Sequence, residues 1–206
     1  MTVGELLPAT GVVLAGGKSR RMGQDKALLE LDGQPLIEWV IQRIGRVCSE
    51  VLVVAGETER YAGLGARVVT DRFPGVGVLG GLHAGLGAAS HELILAVGCD
   101  MPFLNPKLLR AFVDWAEGRD VAVLRRGEWV DPLHAAYRRT CLPAMEAAIR
   151  AGRRRVVSFF PQVRVRYVTE TQVAAIDPEL RSLRNVNTPA DWEAARDDWG
   201  ASSDAL

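Results

Sequence analysis

The stretch Gly11-Val12-Val13-Leu14-Ala15-Gly16-Gly17-Lys18-Ser19-Arg20-Arg21-Met22-Gly23-Gln24-Asp25-Lys26 decides how this chain is read. Gly11 to Ala15 is an apolar, strand-like run that opens directly into a glycine-containing basic loop. Glycines let the backbone turn tightly and aim N–H groups at an anion, while Lys18, Arg20, Arg21 and Lys26 bring charge that neutralises a triphosphate. Gly-Lys-Ser at 17–19 imitates the end of a Walker A loop, but such a loop needs glycine at position 12, where Val12 stands. The dinucleotide fingerprint G-x-G-x-x-G is absent as well.

Outward from this loop, short apolar runs alternate with amphipathic ones. Strands are expected at 11–15, 50–54, 66–70, 93–97, 120–124 and 163–168, with helical patterns such as 35–47 and 105–116 between them. In the first helix Leu36, Val40, Ile44 and Val47 form one stripe, with Pro35 suited to its first turn. Thr188-Pro189-Ala190-Asp191 combines an N-cap, a first-turn proline and an acid near the positive helix end, so the last helix starts near 189. Strands alternating with helices argue for a mostly parallel sheet covered on both faces.

In such a sheet ligands sit beyond the carboxyl ends of the strands. The first strand delivers the glycine loop, the 66–70 strand ends at Asp71, and the 93–97 strand runs into Gly98-Cys99-Asp100-Met101-Pro102. A carboxylate beside bound phosphates suits Mg²⁺, which takes one or two carboxylates, phosphate oxygens and water. Without further context the cap of the turn into the next helix is the favoured reading of Asp100, and a turn former that of Asp71.

The pattern L-A-G-G-x-S-x-R-M-G-x-D-K at 14–26 resembles the signature loop of the molybdenum cofactor guanylyltransferases, within the nucleotidyltransferase superfamily. Cys99-Asp100-Met101-Pro102 resembles the family's metal-binding C-D-x-P segment, and Asp71 its nucleotide-contacting aspartate. Gly75-Val76-Gly77-Val78-Leu79-Gly80-Gly81 resembles its G-P-L-A-G guanine pocket, with Val78 replacing Pro and Gly80 replacing Ala. Ala55 stands where the family often has a nucleotide-contacting asparagine, and it supplies no side-chain hydrogen bond. On the acceptor side, Asp131-Pro132-Leu133-His134-Ala135-Ala136-Tyr137, Gly152-Arg153-Arg154-Arg155 and Asn185-Val186-Asn187-Thr188-Pro189 each resemble a family segment. Taken alone, the arginines are equally a solvated helix start, His134 a structural histidine, and the asparagines turn formers.

The resemblance runs from about residue 11 to 198. It implies a Rossmann-like three-layer α/β/α domain of the nucleotide-diphospho-sugar transferase type, with about 11–100 binding nucleotide and about 101–198 binding acceptor. The implied reaction moves GMP from GTP to the terminal phosphate of molybdenum-molybdopterin and releases pyrophosphate. The implied catalytic residues are Arg21, Lys26 and Asp100, with Asp100 also holding Mg²⁺. Leu14, Ala15, Gly16, Gly17, Arg21, Lys26, Asp71, Leu79, Gly80, Gly81 and Asp100 would bind nucleotide; His134, Arg154, Asn185 and Asn187 would bind acceptor. Asp25 is expected to orient Arg21 or Lys26. The acceptor phosphate is already anionic, so no side-chain nucleophile is needed, and catalysis becomes alignment plus charge neutralisation. A cytidylyltransferase or another nucleotidyltransferase acting on a phosphorylated small molecule stays open, as does a non-catalytic nucleotide-binding module. The molybdoenzymes, their chaperones and molybdopterin-handling proteins are the implied partners.

Composition narrows the alternatives. The 206 residues, 48% hydrophobic, suffice for one substantial core, so residues 1–206 are expected to form one domain with a fraying tail at 200–206. Lys+Arg and Asp+Glu both number 25, and with 6% aromatics neither a phosphate track nor a stacking platform for nucleic acid is expected. Cys48, Cys99 and Cys141 are widely spaced and lack C-x-x-C, which suits reduced packing residues in a cytoplasmic protein. Glu5 and Pro8 interrupt the apolar N-terminus, so neither a signal peptide nor a membrane span is expected.

Overall fold

The computed structural model describes residues 5–15 and 25–201, apart from the side chains of 200 and 201. In chain order the elements are β1 (Leu7–Ala15), β2 (Glu30–Leu31), β3 (Gln34–Pro35), α1 (Leu36–Gly45), β4 (Cys48–Ala55) and β5 (Arg67–Thr70). Then come α2 (Val78–Ala88), β6 (Leu93–Gly98), α3 (Pro106–Trp115), β7 (Val121–Arg126), β8 (Trp129–Arg138), α4 (Leu142–Arg150), β9 (Val165–Thr169), α5 (Glu170–Ala174) and α6 (Pro189–Ala201).

Seven strands form one sheet in the order β5-β4-β1-β6-β8-β7-β9, in which β8 runs antiparallel to its neighbours and the other adjacent pairs are parallel. Along β1, Ala9, Val13 and Ala15 pack with the apolar stripes of α1 and α3, while Val12 packs with α2 and α4. Alternating side chains of one central strand therefore feed two cores, which makes the three layers of a Rossmann-like α/β fold. A third cluster, of Leu29, Leu31, Leu36, Trp39, Phe103 and Val186, is covered by α6 through Ala195, Trp192 and Trp199.

The expected strands are present with shifts of one or two residues at most boundaries, and α1, α3 and α6 begin where the sequence signals put them. Within the seven-stranded sheet β8 departs from expectation, as does the separate short β2–β3 pair. The alternation of β8 is broken at Pro132, and its register with β7 slips between Ala122↔Ala136 and Leu124↔Asp131. This bulge takes up Pro132 and the left-handed backbone of His134 (φ 60°). The glycine-rich stretch at 75–81 is divided between a turn and a helix: Gly75 and Gly77 turn with positive φ, and α2 begins at Val78. Of the expected tail, 202–206 lie outside the described residues, and α6 extends to Ala201.

Two glycines set how closely the helices approach β1. A Cβ on Gly11 would lie 2.8 Å from the Ile44 side chain of α1, and one on Gly85 of α2 would lie 2.5 Å from Val12 Cγ1. At the opposite end of the sheet from the carboxyl edge, Glu50 accepts hydrogen bonds from Thr10 Oγ1 (2.6 Å), the Ser90 N–H (2.8 Å) and Oγ (3.0 Å), and Arg67 (3.0 Å). Burial disfavours its charged form, but these bonds outweigh that cost and bring its pKa from 4.5 to about 2. The three cysteines are buried, and burial pushes their thiols up to about 12, as expected of packing residues.

Gly85→Ala should lower the melting temperature by several degrees, because overpacking against a stiff β-branched core residue costs about 1–3 kcal/mol and exceeds the helix-propensity gain. An unchanged or raised Tm would contradict the close contact with Val12. The stabilisation from Glu50 is present above pH 4.5 and is lost as pH falls towards about 2. Glu50→Gln should therefore be less stable at pH 7 by on the order of 1–3 kcal/mol, with the deficit closing through that acid window in urea titrations.

Candidate active site

The chain turns back at β1: the α1 crossover leads to β4 on one side, and α2 leads to β6 on the other. A topological switch point therefore opens at the carboxyl ends of β1 and β6. The Cys99 N–H donates to Leu14 O at 3.2 Å, locking the two strand ends together. Ala15 leads into the glycine loop, whose residues 16–24, including Gly16, Gly17 and Arg21, lie outside the described residues.

Lys26 lies beyond that loop, at the start of a single 3₁₀ turn. Its Nζ donates to Asp100 Oδ2 at 2.7 Å and to Asn187 Oδ1 at 2.9 Å. Three segments remote in sequence thus meet at one nitrogen, with the Lys26 and Asp100 side chains only 20% and 14% exposed. The geometry is built from both sides. Met101 Sδ lies 3.3 Å from the Gly98 N–H, in the turn that carries Asp100, and Asp100 O accepts from the Val186 N–H at 2.9 Å. Asp191 then accepts from the N–H groups of Asn187 (3.0 Å) and Thr188 (2.8 Å), while Thr188 Oγ1 accepts from the Asp191 N–H (3.2 Å). This reciprocal cap satisfies the first turn of α6 and fixes Asn187 over Lys26.

Of the two partners expected of Asp25, Arg21 lies outside the described residues, and among the described residues Asp25 bonds elsewhere than to Lys26. Its carboxylate caps the 3₁₀ turn through the Ala27 N–H (3.1 Å) and accepts from Tyr61 Oη (2.8 Å) and Arg60 (3.1 Å). The short turn sends Lys26 towards Asp100 and leaves Asp25 facing the loop after β4.

The other expected positions divide. Asp71 accepts from the Phe73 N–H at 2.8 Å, and its carboxylate lies where a Cβ on Gly80 would come within 3.0 Å. Gly81 is similarly close to the partly buried Leu14, at 3.3 Å. Leu79 is fully buried, and Gly80 and Gly81 are buried within α2, so their lack of side chains serves packing against Asp71 and β1. What this stretch presents to a ligand is the first turn of α2, ahead of the Gly81 N–H to Gly77 O bond. Ala55 is buried, and its carbonyl accepts from the Asp71 N–H.

His134, expected on the acceptor side, is instead fully buried, 5.3 Å from the Phe112 ring. The β8 bulge turns it into the core, and burial holds its imidazole down at about 4, hence neutral at pH 7. Asn185 is partly buried, and its enclosed Oδ1 accepts no hydrogen bond among the described residues. Arg154 is exposed and lines a separate cavity beside α2, β7, β8 and β9. Asp131 was noted only as part of a segment. Its carboxyl is pushed upward chiefly by burial, with the Asp100 charge reinforcing and the Leu133 N–H and Arg126 opposing. Asp131 thus lies within reach of the Asp100 charge, a proximity that no pattern in the sequence revealed because β8 was not recognised as a strand.

His134→Ala should cost the few kcal/mol of a core truncation, seen as a lowered melting temperature, while leaving the Michaelis constant for the acceptor within about twofold. A selective rise in that constant with unchanged Tm would put the imidazole back in the acceptor site.

Residues 11–166 match the MobA-like NTP transferase domain. The chain is 45% identical over 191 residues to a probable molybdenum cofactor guanylyltransferase of Pelotomaculum thermopropionicum, covering 93% of each chain. It is 38% identical to the molybdenum cofactor guanylyltransferase of Desulfosudis oleivorans, over 90% of this chain and 93% of that one. Molybdopterin-guanine dinucleotide biosynthesis protein A from Archaeoglobus fulgidus superposes with a TM-score of 0.83 at 28% identity, covering 94% of this chain and 100% of that one. A Thermus thermophilus 2-C-methyl-D-erythritol 4-phosphate cytidylyltransferase shares the fold at a TM-score of 0.69 and 21% identity, with 92% and 98% covered. With the signature loop leading into Lys26, and with Asp100 and Asn187 gathered around it, the chain belongs to the MobA-like NTP transferase family and, within it, to the molybdenum cofactor guanylyltransferases.

Proposed function

We propose that this enzyme transfers GMP from GTP to the terminal phosphate of molybdenum-molybdopterin, with Lys26, Asp100 and Asn187 as its working centre. The observation that carries the reading is the convergence of Asp100 Oδ2 and Asn187 Oδ1 on one cationic nitrogen at the switch point. Such a place suits a polyphosphate, because ligands of open α/β sheets bind outside the carboxyl strand ends.

The same two oxygens fit a hard divalent cation. A carboxylate and an amide carbonyl, both within hydrogen-bond reach of one ammonium, form the oxygen-donor set that Mg²⁺ accepts alongside phosphate oxygens and water. When bound there, Mg²⁺ would supply positive charge to the α-phosphate and the leaving pyrophosphate. Asp100 and Asn187 would hold it, and Asp191 would keep Asn187 in place.

The remaining work falls to the chain itself. Lys26, with Arg21 and the N–H groups of 15–17, neutralises the β and γ phosphates, so negative charge accumulating on the leaving pyrophosphate meets fixed donors. Asp71 and the first turn of α2 lie where guanosine can be held by backbone N–H groups. The acceptor phosphate attacks in line without a general base, so rate depends on alignment. We place this chemistry in the cytoplasm; among the described residues no helix is long and apolar enough to cross a membrane.

The test is pyrophosphate release with Mg²⁺ and molybdenum-loaded molybdopterin, comparing GTP, CTP, ATP and UTP. GTP should be preferred, and Asp100→Asn and Lys26→Ala should each cut kcat by about 10²–10³, the usual cost of removing one transition-state charge contact. Equal turnover with CTP would sink guanine selectivity, and wild-type rates in Asp100→Asn would sink the metal assignment.

A further inference from the structure

A cavity of about 580 Å³ lies on the α2 and α4 face of the sheet, between the β7–β8 hairpin, β9, the start of α2 and the segment after α4. That volume is within the range of small-molecule sites. Its wall carries two aromatic rings that the core leaves out: Trp129 is 69% exposed and Tyr167 is 42% exposed. Arg125, Arg154, Arg155 and Glu128 complete the polar lining. Large aromatics normally go inside, so two of them around one basic cavity constitute a chemical signal.

The Tyr167 side of the platform is held before any ligand arrives. Tyr167 pairs with Val123 across the parallel β9–β7 ladder, and Arg125 follows two residues later on the same face. The Arg125 guanidinium lies 5.2 Å over the Tyr167 ring, while its Nε donates to Gly127 O at 2.7 Å. One arginine thus stacks on the β9 aromatic and ties down the hairpin turn, where Gly127 has φ 57°. Glu128 and Trp129 follow directly. Since β7 and β6 both run antiparallel to β8, this hairpin turn lies at the same sheet edge as Asp100.

We infer that this cavity is the subsite for the fused pterin ring of the acceptor, an inference that rests on the guanylyltransferase reading. Trp129 and Tyr167 offer ring faces to a planar heterocycle. The Glu128 carboxylate accepts from the ring N–H and exocyclic amino group of a 2-amino-4-oxo pyrimidine edge, and a carboxylate is an acceptor-only partner for such paired donors. Arg154 and Arg155 hold the anionic substituents, with the Arg125 charge nearby. Guanine shares the amino-oxo edge, but most of the lining comes from residues beyond 101, with only Val76–Val78 from the nucleotide half. Three arginines against one glutamate favour a ring system that is itself flanked by anionic groups. Trp129 is therefore a specificity-determining residue for the acceptor.

The experiment uses the full-length protein and 6-hydroxymethylpterin monophosphate as probe, with binding followed by calorimetry and by quenching of pterin fluorescence. Trp129→Ala and Glu128→Gln should each weaken the probe about tenfold or more, as loss of one base-stacking contact does, while Trp129→Phe keeps the stack and stays within about threefold of wild type. In the coupled assay Trp129→Ala should raise the Michaelis constant for molybdopterin by a similar factor and leave that for GTP within twofold. Equal probe binding by wild type and Trp129→Ala, or none by wild type at millimolar concentration, overturns the inference. Displacement of the probe by GDP, with a raised constant for GTP in Trp129→Ala, overturns it in favour of a guanine site. Probe binding that depends on Trp129 in an enzyme without GTP turnover would sink the functional reading and leave the pterin subsite standing.

Discussion

The structure depends on how closely two helices press on the central strand from opposite sides. Gly11 lets Ile44 of α1 sit directly on β1, and Gly85 lets α2 descend onto Val12 from the other face. Neither contact tolerates a side chain, because a Cβ at either position would be within 3 Å of its neighbour. Held from both sides, β1 has little freedom to shift, and its carboxyl end becomes the reference point for everything bound beyond it. The Cys99 N–H to Leu14 O bond then transmits that reference to β6 and Asp100.

The candidate site is assembled by two different kinds of force. Apolar packing places the strand ends, since Val13, Ala15, Val97 and Met101 belong to one buried cluster. Polar groups finish the alignment: the Val186 N–H to Asp100 O bond joins the C-terminal segment to β6, and the Thr188–Asp191 cap orients Asn187. Lys26 is thereby joined to groups from two remote parts of the chain. This arrangement suits phosphoryl chemistry, in which the protein contributes position and charge and no covalent step.

Much of this was legible beforehand. Six strands and the helices at 36, 106 and 189 follow from period and caps, because each signal is local, whereas Lys26, Asp100 and Asn187 were singled out together only by resemblance to the family. The misses have one cause. Strand β8 is interrupted by Pro132 and by a bulge that places His134 in the left-handed region, so its alternation does not survive in sequence. With β8 unrecognised, His134 was assigned to the acceptor side over its structural reading, and neither the closeness of Asp131 to the Asp100 charge nor the exposed Trp129 beside Tyr167 was anticipated. The glycines of α2 were misplaced for a related reason: a glycine in a loop and a glycine pressed against a neighbouring strand look alike in one dimension.

By itself the sequence determined the α/β alternation, the basic, glycine-containing composition of the loop after β1 and the caps that start α3 and α6, since backbone propensity and hydrophobic period act over a few residues. Tertiary structure alone decided which remote groups meet. Asp100 and Asn187 reach Lys26 only because parallel strands deliver their carboxyl ends to one edge. Asp25 turns to Tyr61 because a single 3₁₀ turn separates its direction from that of Lys26. Contacts between residues 74 and 161 positions apart depend on strand order and crossover, which no local preference encodes.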